Sequence, residues 1–460
     1  MRPTMKRLTL IAVLCLLPIV SKSGEFATHE TSPVKVFWSG AVTSTSVKIN
    51  MVVRVRHLPV TLRVGTSKNL KDAVFKKTFH IDDITLDEEG THDPKGRELN
   101  ARMISVPVKG LTPNTPYFYW LGSPKSKRVS KAGRFKTFPD GAASFSFATG
   151  SCASTGSKNK VFEVIRNQKP LFYLHLGDLH YSNISLNSAF LYRNAYEKVL
   201  DSAVQAKLYR YVPIAYVWDD HDYGSNNSNM ESPAREAARH VYQEYVPHYS
   251  LVAGKGDVPI YQAFTVGRTR FILTDTRSEK TPASKLDTPE KSVLGTVQKA
   301  WFKEEVLRAS RSHAVVFWGN TIPWIGEPDA GSDSWEGYNH ERTELATFFA
   351  ENGIDNLIIL SGDAHMVALD DGTNSQYADV DVLGPVVFHA AALDRGGSIK
   401  GGPYSHGAFP GSSQYGWVDV TDDGASVLVR FSGRKADGTE LVSYEKHYAK
   451  SRGPASDETQ

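Results

Sequence analysis

The chain has 460 residues, of which 40% are hydrophobic and 22% charged, with 36 Gly and 23 Pro. These proportions exclude a disordered or fibrous chain and leave a globular protein long enough for a large core and two domains. The formal charge of +3 belongs to residues 1–23, which hold four basic residues and no acid; the rest sets 49 Lys and Arg against 50 Asp and Glu, so no nucleic-acid or anionic-membrane partner is expected.

Arg2, Lys6 and Arg7 precede an apolar run from Leu8 to Val20, followed by small residues including Ser21 and Ser23. This pattern predicts a secretory signal peptide over 1–23, and so a secreted, extracellular or periplasmic protein. About 13 apolar residues are too few to cross a bilayer, and no later run is long enough to do so. Once Cys15 leaves with the leader, Cys152 is the only thiol, either a buried inert one or one with a chemical task.

Residues 30–138 read as all-β. Runs such as Val34-Lys35-Val36-Phe37-Trp38 and Ser46-Val47-Lys48-Ile49 are followed by Gly110-Leu111-Thr112-Pro113 and an aromatic Tyr117-Phe118-Tyr119-Trp120 strand. A β-sandwich closes such a set, and the turn with its Tyr-x-Tyr strand resembles fibronectin type III modules. No cluster of titratable residues occurs there, so a structural or substrate-shaping role is expected. Pro139 and Gly141 mark a linker.

Residues 144–448 change to a strand-helix-strand pattern, an α/β domain. Strands are predicted at 145–148, 171–176, 214–218, 270–274, 314–318 and 357–360. Helices are predicted at 160–167, 188–206, 233–246, 296–309 and 341–352. Polar residues follow every strand: Gly150-Ser151-Cys152; Gly177-Asp178 with Tyr181; Asp219-Asp220-His221-Asp222; Asp275 with Arg277; Gly319-Asn320; and Ser361-Gly362-Asp363-Ala364-His365. One strand ending in Asp enters a turn; six such ends suit a site of more than one metal ion, since ligands collect at the carboxyl ends of sheet strands.

Within Asp219-Asp220-His221-Asp222 three carboxylates repel unless a cation neutralises them, and His221 is then placed as a general acid. Asn226, in the following turn, is a further oxygen donor or simply a turn residue. Arg235 and Arg277 are what an anionic substrate asks for, with Asn320 as an additional polar contact. The glycine-rich stretch 396–411 is either a solvated connection or a loop over the site that brings His406 to it. Residues 449–460 read as a disordered tail.

In this order and spacing these pieces resemble the alkaline phosphatase D (PhoD-like) branch of the calcineurin-like metallophosphatases. The motifs are Gly150-Ser151-Cys152, Gly177-Asp178-x-x-Tyr181, Trp218-Asp219-Asp220-His221-Asp222, the Arg235 helix through Tyr242 and Glu244 to Pro247, and Thr274-Asp275-Thr276-Arg277. Leu294-Gly295-x-x-Gln298-x-x-Trp301, Ser361-Gly362-Asp363-x-His365 and Gln414-Tyr415-Gly416 continue them, so the likeness runs from about residue 30 to 430. The resemblance implies ferric iron (Fe3+) held by Cys152, Asp178, Tyr181 and either His365 or Asp363. It also implies calcium (Ca2+), or other divalent ions, on Asp178, Asp219, Asp220, Asn226 and Asp363. Three residues depart from the family pattern: His180 where an apolar residue is common, Asp222 in place of Glu, and Lys280 where a second Arg often follows Arg277.

The activity implied is hydrolysis of small phosphate esters by a metal-activated hydroxide, with His221, Arg235 and Arg277 as catalytic residues, Asn320 and His406 beside the substrate, and a monomeric enzyme. The same site would serve a phosphodiesterase or a phospholipid-headgroup hydrolase. A hydrolase of non-phosphate esters or halides, and a secreted binding or adhesion protein with a retired catalytic domain, are the other readings.

Overall fold

A period-two alternation decides which way the strands of the second half face. Phe271, Leu273, Val315, Phe317, Ile358 and Leu360 belong to one buried apolar cluster, while the intervening Ile272, Val316, Trp318 and Ile359 belong to another. A sheet with both faces apolar must be covered on both. In the computed structural model, which describes residues 34–68, 72–83, 101–122 and 131–449, that is the arrangement found.

Seven strands form this sheet in the order Gln262–Val266, Thr269–Leu273, Val315–Gly319, Leu357–Ser361, Val386–Ala390, Met366–Asp370 and Ala408–Pro410. The 269, 315, 357 and 386 strands run parallel. Helices Thr296–Ser312 and Asn339–Glu351 supply Phe302, Val306, Leu345 and Phe349 to the cluster on its outer face.

A nine-stranded sheet covers the other face. Its central strands Phe145–Gly150, Tyr173–Leu176 and Ile214–Val217 are parallel neighbours. Gln414–Asp422, Ser426–Lys435 and Glu440–Ala449 extend it on one side; Val34–Gly40, Ser46–Arg54 and Ala101–Lys109 extend it on the other. Aromatic rings fill the space between the sheets: Phe147 stacks on Phe172 at 5.0 Å, Phe271 on Phe317 at 4.7 Å and on Phe264 at 4.8 Å, and Phe147 meets Phe271 edge-on at 5.3 Å.

The remaining amino-terminal strands, Ala73–Phe79, Val60–Gly65, Pro116–Gly122 and Lys131–Lys136, form a separate antiparallel sheet. Of the strands described between residues 34 and 136, three thus belong to the nine-stranded sheet and four to a sheet of their own, so the chain is continuous across the boundary expected at 138. The join is Gly40, which lies beside Ile214 in parallel register; a Cβ there would overlap the carbonyl oxygens of Ile214 and Pro247, so only glycine lets the strands meet. The helix predicted over 188–206 is two, Ala189–Leu200 and Gln205–Tyr211. The Ser202 hydroxyl accepts the Ala206 amide at 3.0 Å and gives the chain a local alternative to continuing the helix.

The predicted leader and tail lie outside the described residues. Among the described residues no helix is long and apolar enough to cross a membrane. Phe271 touches both sheets, so Phe271→Ala is expected to lower stability by about 3–5 kcal/mol, read as a lower denaturant midpoint at unchanged slope.

Candidate metal centre

Three strands end in the same unusual way. Two residues past the strands that finish at Gly150, Leu176 and Ser361, the chain places Cys152, Asp178 and Asp363 in the left-handed region, at φ 62°, 58° and 68°. Each such residue costs on the order of 1–2 kcal/mol, a strain that persists only where surrounding contacts over-determine it. Those contacts are visible. The Ala153 amide donates to the Asp178 carbonyl at 2.9 Å, and the Gly362 amide to the Thr321 carbonyl at 3.0 Å. Gly177 is itself left-handed, and a Cβ on it would overlap the Cβ of Asp219, so the 178 and 219 segments approach through a glycine.

The carboxylates converge accordingly. Ligand atoms of Asp178, Asp220 and His221 lie within 4.8 Å of one another, as do those of Asp219, Asp220 and Asp363. The Tyr181 ring packs against Cys152, its phenol feels the charge of Asp178, and its hydroxyl donates to His365 Nε2 at 3.1 Å. The Cys152 thiol faces the Asp363 carbonyl at 3.4 Å. Asp178 thus links a thiol-phenol-imidazole group to the carboxylates, and Asp220 is common to both carboxylate groups.

Three buried oxygens here, Asp178 Oδ1, Asp219 Oδ2 and Asp220 Oδ1, have no hydrogen-bond partner. Orphaned buried carboxylate oxygens beside imidazole and thiol fit a cation site in number and chemistry. Burial followed by the charges of Asp220, Asp219 and Asp222 pushes Asp178 well above the usual carboxylate range. Burial raises Asp219 to about 7 against the pull of Arg277. Asp220 is buried too, yet Arg277 and His221 hold it below its ordinary value. Burial and the Asp178 charge keep the Cys152 thiol protonated, and burial, Cys152 and Asp178 do the same for the Tyr181 phenol. A bound cation is what opposes the upward shifts of Asp178, Asp219, Cys152 and Tyr181.

Positive charge comes from places with no periodic pattern. Arg277 is fully buried, with Nε on Asp219, one terminal nitrogen on Asp333 and the other 3.9 Å from Asp220. Lys280 also binds Asp333, at 2.7 Å, and burial lowers its pKa to about 8. From the glycine-rich stretch Lys400 reaches both oxygens of Asp363 at 2.8 Å, and Arg395 lies 4.0 Å above the Tyr181 ring. The stretch is pinned on either side of Lys400: Ser398 donates its amide to the His365 carbonyl at 3.0 Å, and Gly402 to Ile325 at 3.2 Å. His221 donates from Nδ1 to Asn183 and stacks on Tyr181 at 4.1 Å, leaving its Nε2 lone pair free. Asp333, Lys400, Arg395 and Asn183 were not singled out in the sequence, and no local spacing marks them.

Other candidates lie elsewhere. The Asn320 amide is consumed by the Ile322 carbonyl at 2.8 Å and the Trp335 indole at 2.9 Å. Asp275, also at a strand end, accepts from Trp218, Ile260 and the Arg277 and Ser278 amides, and is a structural hub. Arg235 faces Asp257 at 3.5 Å and the Met230 carbonyl. Asn226 is exposed; its turn touches the cluster through the Asn227 amide, 2.6 Å from Asp220. His406 bonds Asp371 at 3.3 Å, past the end of a strand that runs back from the site, antiparallel to its neighbour. Lys400, not His406, is the residue of this stretch that meets the cluster.

His180, the departure from the family pattern, is fully buried and packs edge-on against Tyr196 at 5.5 Å, while its amide donates to Asp222 at 2.9 Å. Burial lowers its pKa to about 3, so it is a neutral core residue. Asp222 also accepts the Asp219 amide at 3.3 Å and so ties the 180 and 219 loops together.

A profile of the PhoD-like phosphatase family matches residues 147–401, more than half of the chain. The chain belongs to that family. Alkaline phosphatase D of Bacillus subtilis (strain 168) is 25% identical over 324 residues, 59% of this chain; the aligned part spans 55% of that relative, a little over half its length. The solved structure of PhoD has the same fold, with a TM-score of 0.65 at 18% identity, covering 92% of this chain and 94% of that one.

Because Asp219 and Asp222 titrate near about 7 and about 6 when metal-free, well above an unfolded Asp, the folded metal-free protein binds extra protons. Their stabilising contribution is complete below about pH 4 and is lost as pH rises through 7. The melting temperature of metal-stripped protein is therefore expected to lose this contribution across that window, and the rise in melting temperature on adding calcium should grow over the same interval.

Proposed function

We propose that the chain is a metal-dependent phosphoric ester hydrolase working at this strand-end cluster. Membership of the PhoD-like family supports the reaction class. The observation that carries the reading is the trio of buried carboxylate oxygens without hydrogen-bond partners, on Asp178, Asp219 and Asp220, gathered beside Asp363, which Lys400 covers. Asp178, Asp220 and His221 would hold one cation and Asp219, Asp220 and Asp363 another, while Cys152, Tyr181 and His365 add the softer donors suited to ferric iron beside calcium. Bound there, the ions supply Lewis acidity toward the phosphoryl group and an activated water.

The chain's own residues do the rest. Arg277, fixed between Asp219 and Asp333, orients the carboxylates; it is too enclosed by them to serve as a free clamp. Lys400 and Arg395 stand where phosphoryl oxygens would arrive and neutralise their charge. Asn183 keeps the His221 proton on Nδ1, which leaves Nε2 as the nitrogen that would ligate the cation shared with Asp178 and Asp220, in place of the general-acid role expected from the sequence. The basic and apolar pattern of residues 1–23 supports a place of action outside the cytoplasm.

Chelation is expected to abolish hydrolysis of a chromogenic phosphate monoester, with recovery on reloading iron and calcium, and kcat/KM on mono- and diesters then assigns the ester class. Undiminished turnover in metal-free protein, or phosphate binding without turnover after reloading, would overturn the reading. Lys400→Ala should lower kcat/KM roughly tenfold or more, short of the roughly hundredfold or greater loss typical of a buried oxyanion donor.

A further inference from the structure

A pocket of about 560 Å³ lies between the amino-terminal sheet and two helices of the catalytic half, and is lined by Arg134, Arg166, Lys169, Lys207 and Arg210, with Tyr211 at its edge. Arg166 and Lys169 lie in the segment that leads into strand Tyr173–Leu176, and Arg210 in the segment that leads into Ile214–Val217. These are the amino ends of strands whose carboxyl ends carry the acidic cluster, so the pocket is a separate place on the molecule.

Among the described residues no carboxylate lines it. Arg166 pairs with the exposed Glu163 at 3.2 Å, and the Asp201 carboxylate acts on Arg210 from farther off; among the described residues Arg134, Lys169, Lys207 and Arg210 form no ion pair. Overall composition does not account for this, because beyond residue 23 the chain is balanced at 49 basic against 50 acidic residues. Five like charges around one concavity repel, and an anion in the middle reverses the sign of that energy.

One of the five is held rigidly. The Arg210 guanidinium sits 5.2 Å over the Phe37 ring, and the Arg210 carbonyl accepts the Tyr119 hydroxyl at 2.9 Å. Its Nε is buried without an acceptor, a state that costs about 1–3 kcal/mol until an acceptor arrives. Lys169 and Lys207 are exposed and free to close over a ligand. Rigid planar forks with flexible ammonium groups match tetrahedral oxoanions, and the volume exceeds what one such ion fills.

We propose that this pocket is a second ligand site, which binds a small polyanion carrying two or more tetrahedral oxoanion groups, such as an oligophosphate or a sulfated sugar. It does not rest on the phosphatase reading. Calorimetric titration of the full-length, metal-loaded protein with sucrose octasulfate tests it. Binding with Kd below about 100 µM at low salt is expected. Lys169→Gln/Lys207→Gln, a change of two exposed residues, should weaken it at least about tenfold, and Arg210→Gln likewise. The melting temperature and metal content of the lysine double variant should stay at wild-type values. Displacement of octasulfate by tripolyphosphate at unchanged metal content identifies a phosphate chain as the ligand; failure to displace it identifies a sulfated one. The proposal is overturned if octasulfate does not bind below about 1 mM, or binds the lysine double variant as tightly as wild type.

Discussion

Negative charge held in a water-poor space is the constraint on which the catalytic half depends. Two carboxylates at the 4.8 Å limit of the cluster repel by about 3.5 kcal/mol at an effective dielectric constant near 20. Several such pairs together exceed what a marginally stable domain can absorb, so the charge must be met. Inside, it is met by a chain of ion pairs in which Arg277 bridges Asp219 and Asp333, and Lys280 closes on Asp333 from the other side. At the mouth it is met by Lys400, whose ammonium occupies both oxygens of Asp363. The oxygens between these two layers have no hydrogen-bond partner, which a purely structural salt-bridge network would not leave.

The geometry that holds the gap open is set by the backbone. Cys152, Asp178 and Asp363 each leave a strand and turn into the left-handed region two residues later, which swings their side chains across the ends of the sheets. Parallel neighbours 145–150, 173–176 and 214–217 put three of the loops side by side, and 357–361 brings the fourth from the facing sheet. The stacked phenylalanines fix the distance between the sheets, and therefore the distance between Asp178 on one and Asp363 on the other.

Those strands were legible because each is an unbroken apolar run ending in a polar residue, and the residues that converge, Cys152, Asp178, Asp219, Asp220, His221, Asp363 and His365, are the ones that follow them. What misled was the assumption that every strand end donates to the site. Asp275 and Asn320 have the right type and place, yet five donors saturate one and two partners the other. The missing residues sit in irregular loops: Asp333 precedes a short 3-10 turn, Arg395 comes just before the glycine-rich stretch, and Lys400 lies within it, on a path decided by backbone bonds to His365 and Ile325. Nothing periodic encodes such a path. Strand Met366–Asp370 runs back from the site, and His406, bonded to Asp371 past its far end, is carried away with it. The antiparallel run 414–449 likewise went unassigned within the catalytic half.

Why a phosphatase-like domain should carry seven extra strands follows from what they touch. Gly40 extends the catalytic sheet directly beside Ile214, at the start of the strand that delivers Asp219 and Asp220. From the same group of strands, the Trp38 indole and the Asn50 amide both donate to the Tyr245 carbonyl at 3.0 Å, and Lys48 donates to the His248 carbonyl at 2.7 Å. These bonds hold the end of helix Arg235–Tyr245, and from that helix Tyr242 donates to the Tyr216 carbonyl at 2.6 Å, inside the 214–217 strand. The strand is only four residues long, too short to resist the repulsion at its tip by its own hydrogen bonds. The amino-terminal strands and the helix they brace grip it on two sides, so the all-β part supports the acidic cluster although none of its described residues belongs to that cluster.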